Sequence, residues 1–311
     1  MRHTAADGLI VVDKPGGMTS HDVVSRIRRL AHTRRVGHAG TLDPMATGVL
    51  IVGIERATRL LTYLVGSDKT YQATIRLGQS TVTDDAEGEV VTTADAGAVT
   101  EHAVRAALAE QTGEIDQVPS AVSAIKVNGV RSYKRVRTGE TFELAARRVT
   151  IRRIDVFAVR PGMAGTLDVD VEVACSSGTY IRAIARDLGV RLGVGGHLVA
   201  LRRTEVGPFA ISDAHTLEEL ATLDQPVTVP IAEAAGRVLG RRDVDAAAAT
   251  VLSHGGSLPP EGRPGPYAVF GPDGRVLAIV VEREGRARPE VVLAPAEGKA
   301  VAPSGPSTVE E

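Results

Sequence analysis

The sequence is poor in aromatic residues, has a single cysteine and contains no long apolar run. Among its 311 residues Trp is absent, and Phe, Trp and Tyr together make up 3%. The lone Cys175 excludes an internal disulfide framework and is typical of a reducing compartment. No stretch approaches the roughly 20 apolar residues of a membrane-spanning helix, and the first residues, MRHTAADG, lack the apolar run of a signal peptide. We therefore expect a soluble cytoplasmic protein.

The formal net charge of -2 conceals a segregated distribution of charge. The range 120–160 is strongly basic, a second basic run extends from Arg26 to Arg35, and the range 81–119 is acidic. A phosphate backbone senses the local field rather than the sum of charges, so this chain could bind nucleic acid. The alternative, which composition alone favours, is that these runs are ordinary solvated faces.

Hydrophobic periodicity predicts a mixed α/β (α+β) domain with a largely antiparallel sheet. The predicted strands cover 8–12, 49–54, 69–77 and 166–174, and the predicted helices cover 20–31, 56–64, 100–111 and 180–192. Alternation in the last two strands indicates one buried and one wet face, with Tyr71 on the buried one. We take Ser20 as the N-cap of the first helix and 37–48 as a loop.

A change of composition at 224–229 predicts a boundary between two domains. The large domain is expected over 1–225, with a basic excursion at about 120–147. The small, β-rich domain is expected over 226–294, from an Ala-rich helix at 243–252 and strands at 267–270, 275–282 and 290–293. The tail 295–311 is rich in Pro, Ser, Gly and Glu, and we expect it to be disordered.

The densest group of chemically competent residues is the segment Gly37–Gly48, which reads GHAGTLDPMATG. Its glycines permit tight turns and close approach of another backbone, and no Gly-Lys-Ser/Thr follows that would make it a P-loop. Asp43 before Pro44, taken alone, is read as a turn residue. With His38 five residues earlier and basic segments around it, Asp43 becomes the candidate for a reacting carboxylate.

Two other readings of the acidic and histidine residues carry less weight. His21, His32 and His38 lack a Cys or carboxylate at ligand spacing, so we predict no metal site. Asp84 and Asp85 could form a glycosidase pair of carboxylates, but their acidic, Thr-rich surroundings favour a loop.

The Gly37–Gly48 segment resembles the signature loop of the TruB family of bacterial tRNA pseudouridine-55 synthases. Further blocks match in the same order, namely Val12–Asp22 (VDKPGGMTSHD), Lys69–Tyr71 with Arg76–Gly78, Cys175–Arg182 (CSSGTYIR) and Gly196–Thr204 (GHLVALRRT). The resemblance covers 8–209, and the C-terminal domain is similar in outline to the family's PUA-like RNA-binding domain. The resemblance implies a pseudouridine-synthase core.

The resemblance implies an isomerase that converts uridine 55 in the T-loop of tRNA to pseudouridine without a cofactor. That reaction breaks the C1'–N1 bond, turns the uracil and joins C1' to C5. A stacked uridine cannot be reached, so it must be flipped out. Attack at C1', addition to C6 and a glycal route all remain open.

The family's nucleophile corresponds to Asp43, a carboxylate that can trap an electrophilic centre. Its arginine corresponds to Arg182, which is expected to pair with Asp43 and keep it charged. Its tyrosine corresponds to Tyr71, which is expected to stack on the uracil and help remove the C5 proton.

The remaining candidates are substrate-binding residues. The resemblance implies that Tyr180 and Leu201 form walls of the pocket. It also implies that His38 occupies the space that the flipped bases vacate. Lys14 and Lys126 are predicted phosphate or pocket contacts.

The implied partner is tRNA, recognised by the shape of its T-arm. The basic excursion is expected to clamp the T-arm and the C-terminal domain to hold the acceptor stem. We expect a monomer, with no obligate protein partner and no membrane association. An RNA-binding or tRNA-folding protein with secondary catalysis is the alternative, and a nucleotide-dependent phosphotransferase is a third hypothesis.

Overall fold

A mixed sheet forms the centre of the computed structural model, which describes residues 6–120, 126–127, 130–131 and 144–296. The strands are β1 (Gly8–Lys14), β2 (Val36–Ala39), β3 (Thr47–Ile54), β4 (Lys69–Leu77), β5 (Gln79–Thr81), β6 (Val90–Thr93), β7 (Gly113–Gln117), β8 (Lys126–Val127), β9 (Val130–Arg131), β10 (Arg147–Pro161), β11 (Leu167–Cys175), β12 (Gly196–Val206), β13 (Phe209–Ala210), β14 (Val229–Pro230), β15 (Gly240–Asp243), β16 (Tyr267–Phe270), β17 (Val276–Arg283) and β18 (Arg286–Val292). The central order is β14-β1-β3-β12-β4-β11-β10-β7, with β2 on β3 and β13 on β12. Only β3 and β12 run parallel within this sheet, among the residues described, so the predicted fold class is confirmed.

The helices pack on both faces of this sheet and on the C-terminal part of the chain. They are α1 (Ser20–Leu30), α2 (Leu61–Val65), α3 (Glu101–Ala109), α4 (Ile181–Arg191), α5 (Leu217–Ala221), α6 (Ile231–Val238) and α7 (Ala246–Ser253), with 3-10 turns at Glu55–Leu60 and Ile211–Asp213. The apolar stripe of α1, with Ile27 at its centre, packs with α3, α4 and α5 in one core. The alternate residues of β4 and β11, among them Tyr71 and Val171, complete that core. The buried side chains of the strands, which alternate, and those of the helices, which recur every three to four residues, therefore pack together on one face of the central sheet.

The opposite face of the sheet is divided between a second core and solvent. Over β1 and β3 it is covered by the 3-10 turn Glu55–Leu60, by α2 and α6, and by residues of a smaller C-terminal sheet. Over β4 and β11 it carries ion pairs such as Arg76–Asp168 at 2.7 Å. The prediction of one wet face in the strands 69–77 and 166–174 is thus confirmed for this half of the sheet.

The smaller sheet has the order β15-β16-β17-β18. Its last three strands are antiparallel and correspond to the predicted ones, although β18 begins earlier than expected. The predicted helix at 243–252 is shifted: Gly240–Asp243 forms β15, parallel to β16, and α7 begins after its N-cap Asp245. The Asp245 side chain accepts from the Ala248 N–H, which fixes that start.

Several local predictions need correction. Thr19, not Ser20, caps α1, because Thr19 and Asp22 exchange hydrogen bonds in a capping box. The segment 37–48 is not all loop, since it contains most of β2 and the start of β3. The range 56–64 divides into a 3-10 turn and the short α2.

Two predictions fall largely outside the described residues. The basic excursion at 120–147 is described at its ends and in the backbones of β8 and β9, and the tail 295–311 only to residue 296. In the described ranges, no helix is both long and apolar enough to cross a membrane.

Candidate active site

A cavity of about 110 Å³ lies where β4 begins, β11 ends and α4 starts. Five of the predicted site residues line it: Asp43, Tyr71, Tyr180, Arg182 and Leu201. The cavity exists because antiparallel pairing places Lys69 of β4 opposite Cys175 of β11, while the segment after β2 closes the other side. Residues far apart in sequence are thus brought together at one end of the sheet.

Asp43 and Arg182 form the predicted ion pair. The Arg182 Nη2 lies 3.1 Å from Asp43 Oδ2, with the arginine side chain 6% exposed and the aspartate 39% exposed. The guanidinium is therefore desolvated while the carboxylate remains open to the cavity. Such a charge-assisted contact orients the carboxylate.

A second carboxylate, from Asp85, holds the same guanidinium. Asp85 Oδ2 lies 3.2 Å from Arg182 Nη1, and the Asp85 side chain is 3% exposed. The same Nη1 also donates to the Thr83 carbonyl at 3.1 Å. A cation at the start of a helix opposes the helix dipole, and these acceptors on the turn after β5 compensate for it.

Sequence reasoning missed the importance of Asp85. It placed Asp84 and Asp85 in a loop, and they do lie in a turn, but Asp85 is buried there and fastened by Thr81 and Thr83, whose hydroxyls donate to its carbonyl and carboxylate. The two carboxylates pair with different arginines, since Asp84 lies 3.4 Å from Arg186, and neither carboxylate lines the cavity. The glycosidase reading therefore has no geometric basis, and no local pattern distinguished Asp85 from its acidic neighbours.

Lys14, which we predict to contact a phosphate or the pocket, is not among the residues that line this cavity. Its side chain is fully buried, and Nζ donates to the carbonyls of Pro15, Met18 and Pro44 at 2.9, 2.6 and 3.2 Å. Burial lowers the pKa of Lys14 to about 8, and Asp43 opposes that shift. Lys14 therefore fixes the backbone on which Asp43 stands.

Two further buried cations border the cavity, Lys69 and Arg203. Arg203 donates from Nε to the Val49 carbonyl and from Nη2 to the Gly40 carbonyl, both at 2.8 Å. It thereby ties the segment with Asp43 to β3. Both cations stand in matching motif blocks, and that was the only signal that could have identified them.

The aromatic and apolar walls come from β4, β12 and the start of α4. Tyr71 is 7% exposed and Leu201 is 9% exposed, so each presents only one edge to the cavity. Tyr180 is the N-cap of α4. The buried Gln117 clamps its backbone, since Gln117 Oε1 accepts from the Tyr180 N–H at 2.8 Å and Nε2 donates to the Tyr180 carbonyl at 3.2 Å. Gln117, too, was missed in the sequence.

Of the other two predicted residues, His38 does not line this cavity. His38 lies on β2, buried, with its ring centroid 5.6 Å from that of His21. Lys126 lies in β8, and its side chain falls outside what the structure describes. Within the described residues, no three His, Cys, Asp or Glu side chains gather in a group that could hold a metal ion.

Three family models match consecutive parts of the chain. Residues 28–181 match the TruB family pseudouridylate synthase N-terminal domain. Residues 182–227 match the tRNA pseudouridylate synthase B C-terminal domain, and residues 239–294 match the tRNA pseudouridine synthase II C-terminal model.

Whole-chain comparisons give the same result. A tRNA pseudouridine synthase B from Arthrobacter sp. (strain FB24) is 60% identical over 298 residues, covering 93% of this chain and 97% of the relative. The synthase of the same name from Streptomyces coelicolor is 57% identical, with 92% and 97% covered. A chain of the solved Cbf5-Nop10-Gar1 complex is similar at a TM-score of 0.71 and 26% identity, over 93% of this chain and 85% of that one. An H/ACA RNP bound to a substrate RNA containing 2'-deoxyuridine gives a TM-score of 0.70 and 25% identity, with 93% and 86% covered. The chain belongs to the TruB family of pseudouridylate synthases.

Proposed function

We propose that this protein isomerises uridine to pseudouridine in tRNA, at position 55 of the T-loop, with the Asp43 carboxylate as the nucleophile. The relatives that match over nearly the whole chain are tRNA pseudouridine synthases B. A structural neighbour is bound to a substrate RNA, which supports an RNA substrate for this fold.

The observation that carries the proposal is the division of exposure around Arg182. The guanidinium is buried between two carboxylates, and of these only Asp43 is open to the cavity. A nucleophile must be charged, oriented and accessible at once. Asp43 meets all three needs, whereas Asp85 is closed off and serves to hold Arg182.

The reaction needs no oxidant or reductant. The C1'–N1 bond of the uridine breaks, C1' joins C5, the C5 proton leaves and N1 takes up a proton, so substrate and product are isomers. Tyr71 borders the cavity on the side of β4, where its ring can stack on a flipped uracil and its hydroxyl can assist at C5. Tyr180 and Leu201 are walls of the same cavity. We assign no cofactor to this scheme.

We extend the proposal to the organisation of the chain. Residues 1–225 form the catalytic domain, with the basic excursion at about 120–147 on the T-arm, and 226–294 form the RNA-binding domain. His38 takes the space that the extruded bases leave, and Lys126 contacts the RNA. The protein acts as a monomer in the cytoplasm.

The test is an Asp43→Asn variant assayed with an unmodified tRNA transcript containing 5-tritiated uridine. Removing the nucleophile is expected to lower tritium release by about a thousandfold or more, with tRNA binding retained on filters. Asp116→Asn, at an exposed acid paired with Arg148, is the matched control and should keep full activity. The reaction should proceed in EDTA and without added nucleotide. Mapping of the product should find pseudouridine only in the T-loop. Full activity of the Asp43→Asn variant would refute the mechanism, and product elsewhere in the tRNA would refute the position.

A further inference from the structure

Arginine side chains in the described residues are mostly neutralised by a carboxylate. Examples are Arg105 with Glu101 at 2.7 Å, Arg148 with Glu114 at 3.0 Å and Arg191 with Glu110 at 2.7 Å. Such pairs leave little field outside the protein, because the two charges cancel at short range. An arginine without a carboxylate therefore stands out as a source of positive potential.

Three exposed arginines on and after α1 are exceptions to this pattern. Arg26, Arg29 and Arg34, here named the α1 basic surface, are exposed and form no ion pair with any residue that the structure describes. Two arginines between and beside them are already engaged, since Arg28 donates to the Val36 carbonyl at 3.1 Å and Arg35 lies 3.7 Å from Glu55.

The nearby acids do not neutralise this surface. Asp22 accepts hydrogen bonds from both the backbone and the hydroxyl of Thr19 at the helix start, and these bonds lower its pKa. Glu55 accepts from Thr33 and faces Arg35. Each acid is thus committed to a structural contact, and the three guanidinium groups keep their donors for a ligand.

The fold fixes the distance of this surface from the active site. Ser20, the first residue of α1, exchanges hydrogen bonds with the backbone of Leu42, next to Asp43. With a rise of about 1.5 Å per residue, Arg26 lies roughly 9 Å and Arg29 roughly 14 Å along the helix from that contact. Along the axis of a nucleic-acid duplex, which rises about 3.4 Å per base pair, this distance corresponds to three to four nucleotides.

We infer that the α1 basic surface binds the phosphodiester backbone of the substrate RNA, a few nucleotides from the uridine that enters the cavity. The inference rests on the proposed function for its substrate. Guanidinium groups bind phosphate oxygens bidentately, and the bases are not read at this surface. The contacts position the RNA and add affinity without taking part in the chemical step.

The test compares two charge-matched triple variants. The first carries Arg26→Gln, Arg29→Gln and Arg34→Gln. The control carries Arg105→Gln, Arg148→Gln and Arg191→Gln, which removes the same charge from arginines that are already paired. Kd for tRNA is measured by filter binding across a series of KCl concentrations, and kcat with saturating tRNA. Circular dichroism shows whether both variants fold.

For the first variant we expect the slope of log Kd against log salt to fall by about 2, since each lost phosphate contact removes roughly 0.7–0.9. Affinity at low salt should drop by about tenfold or more while kcat stays within about twofold. The control should match the wild type in slope. Equal slopes in all three proteins, or equal losses in both variants, would overturn the inference. A wild type that binds tRNA but makes no pseudouridine would instead refute the proposed function, and the salt dependence would still test the surface.

Discussion

At the scale of single residues, the guanidinium of Arg182 is fixed independently of Asp43, the carboxylate that we propose as the nucleophile. Asp85 and the Thr83 carbonyl hold it from the buried side, and Asp43 meets it from the cavity. Because two acceptors remain in place, Arg182 need not move when Asp43 turns towards a substrate. Removal of one partner from a buried ion pair is costly, and in the proposed reaction the buried partner, Asp85, keeps its contact with Arg182.

The buried charge of Lys14 makes the free energy of unfolding depend on pH. Burial lowers its pKa to about 8, below the ordinary value near 10.4. Between these two values the unfolded chain binds more protons than the folded one, so the free energy of unfolding rises with pH in that window. Below about pH 8 both states are protonated and this contribution is constant.

We expect this effect to disappear in a Lys14→Met variant, which fills the same space without a titrating group. Urea unfolding at several pH values between neutrality and about pH 10 gives the free energy of unfolding of both proteins. The wild type should gain relative to the variant as pH rises, by at most about 1.4 kcal/mol per pH unit. A difference between the two proteins that stays constant with pH would show that Lys14 has an ordinary pKa.

At the scale of secondary-structure elements, the close contact between β3 and β12 is what holds the Asp43 segment. These strands pair in parallel, with Gly48 opposite Arg203. Gly48 has φ +97, and a Cβ there would lie 2.2 Å from the Arg203 carbonyl oxygen. The backbones can approach this closely only because the position has no side chain.

Gly48→Ala should therefore be severely destabilising, by more than the cost of the backbone conformation alone. Gly17 is the matched control, because it has φ +81 and a Cβ there meets nothing within 4 Å. We expect Gly17→Ala to cost about 1–2 kcal/mol and Gly48→Ala several kcal/mol in chemical denaturation, with loss of activity. If the two variants lost similar amounts of unfolding free energy, the backbone contact between Gly48 and Arg203 would have to relax easily.

Elements with a strong repeating pattern could be predicted from the sequence, and those defined by distant contacts could not. The strand 69–77 was placed to the residue, because four alternate apolar positions show its buried face. β2 was missed, since its Gly37 and His38 resemble a loop and only pairing with β3 makes them a strand. β15 was missed for the same reason, because Gly240–Asp243 becomes a strand only beside β16.

The residues of the candidate site likewise fall into those that could be predicted from the sequence and those that could not. Asp43, Tyr71 and Arg182 could be predicted because each stands in a motif that resembles a family block. Asp85 could not, because its burial arises only when the turn after β5 packs against α4. The burial of Lys14 could not be predicted either, since a lysine in a motif suggests an exposed phosphate ligand and its three carbonyl partners come together only in the fold.

At the scale of the whole molecule, the two sheets share one core. Residues of β1 and β3 pack in the same apolar cluster as Phe270 and Ile279 of the C-terminal sheet. Polar contacts reinforce this junction, because Arg56 donates to Asp7 and, at 2.6 Å, to the Leu293 carbonyl. The composition change at 224–229 therefore does not mark a break in the packing, and the C-terminal sheet should unfold together with the strands that position the active site.

A Phe270→Ala variant tests this coupling. Loss of a buried Phe lowers the free energy of unfolding by about 3–5 kcal/mol. Because the core is shared, both sheets should be destabilised. Hydrogen exchange of peptides covering 8–14 and 48–54 should accelerate together with that of 267–283, because these amides open in one cooperative event. Phe157→Ala is the control, since Phe157 on β10 is 60% exposed and its loss should leave all of these rates unchanged. Acceleration confined to 267–283 would show instead that the C-terminal sheet opens alone and that the catalytic strands are stable without it.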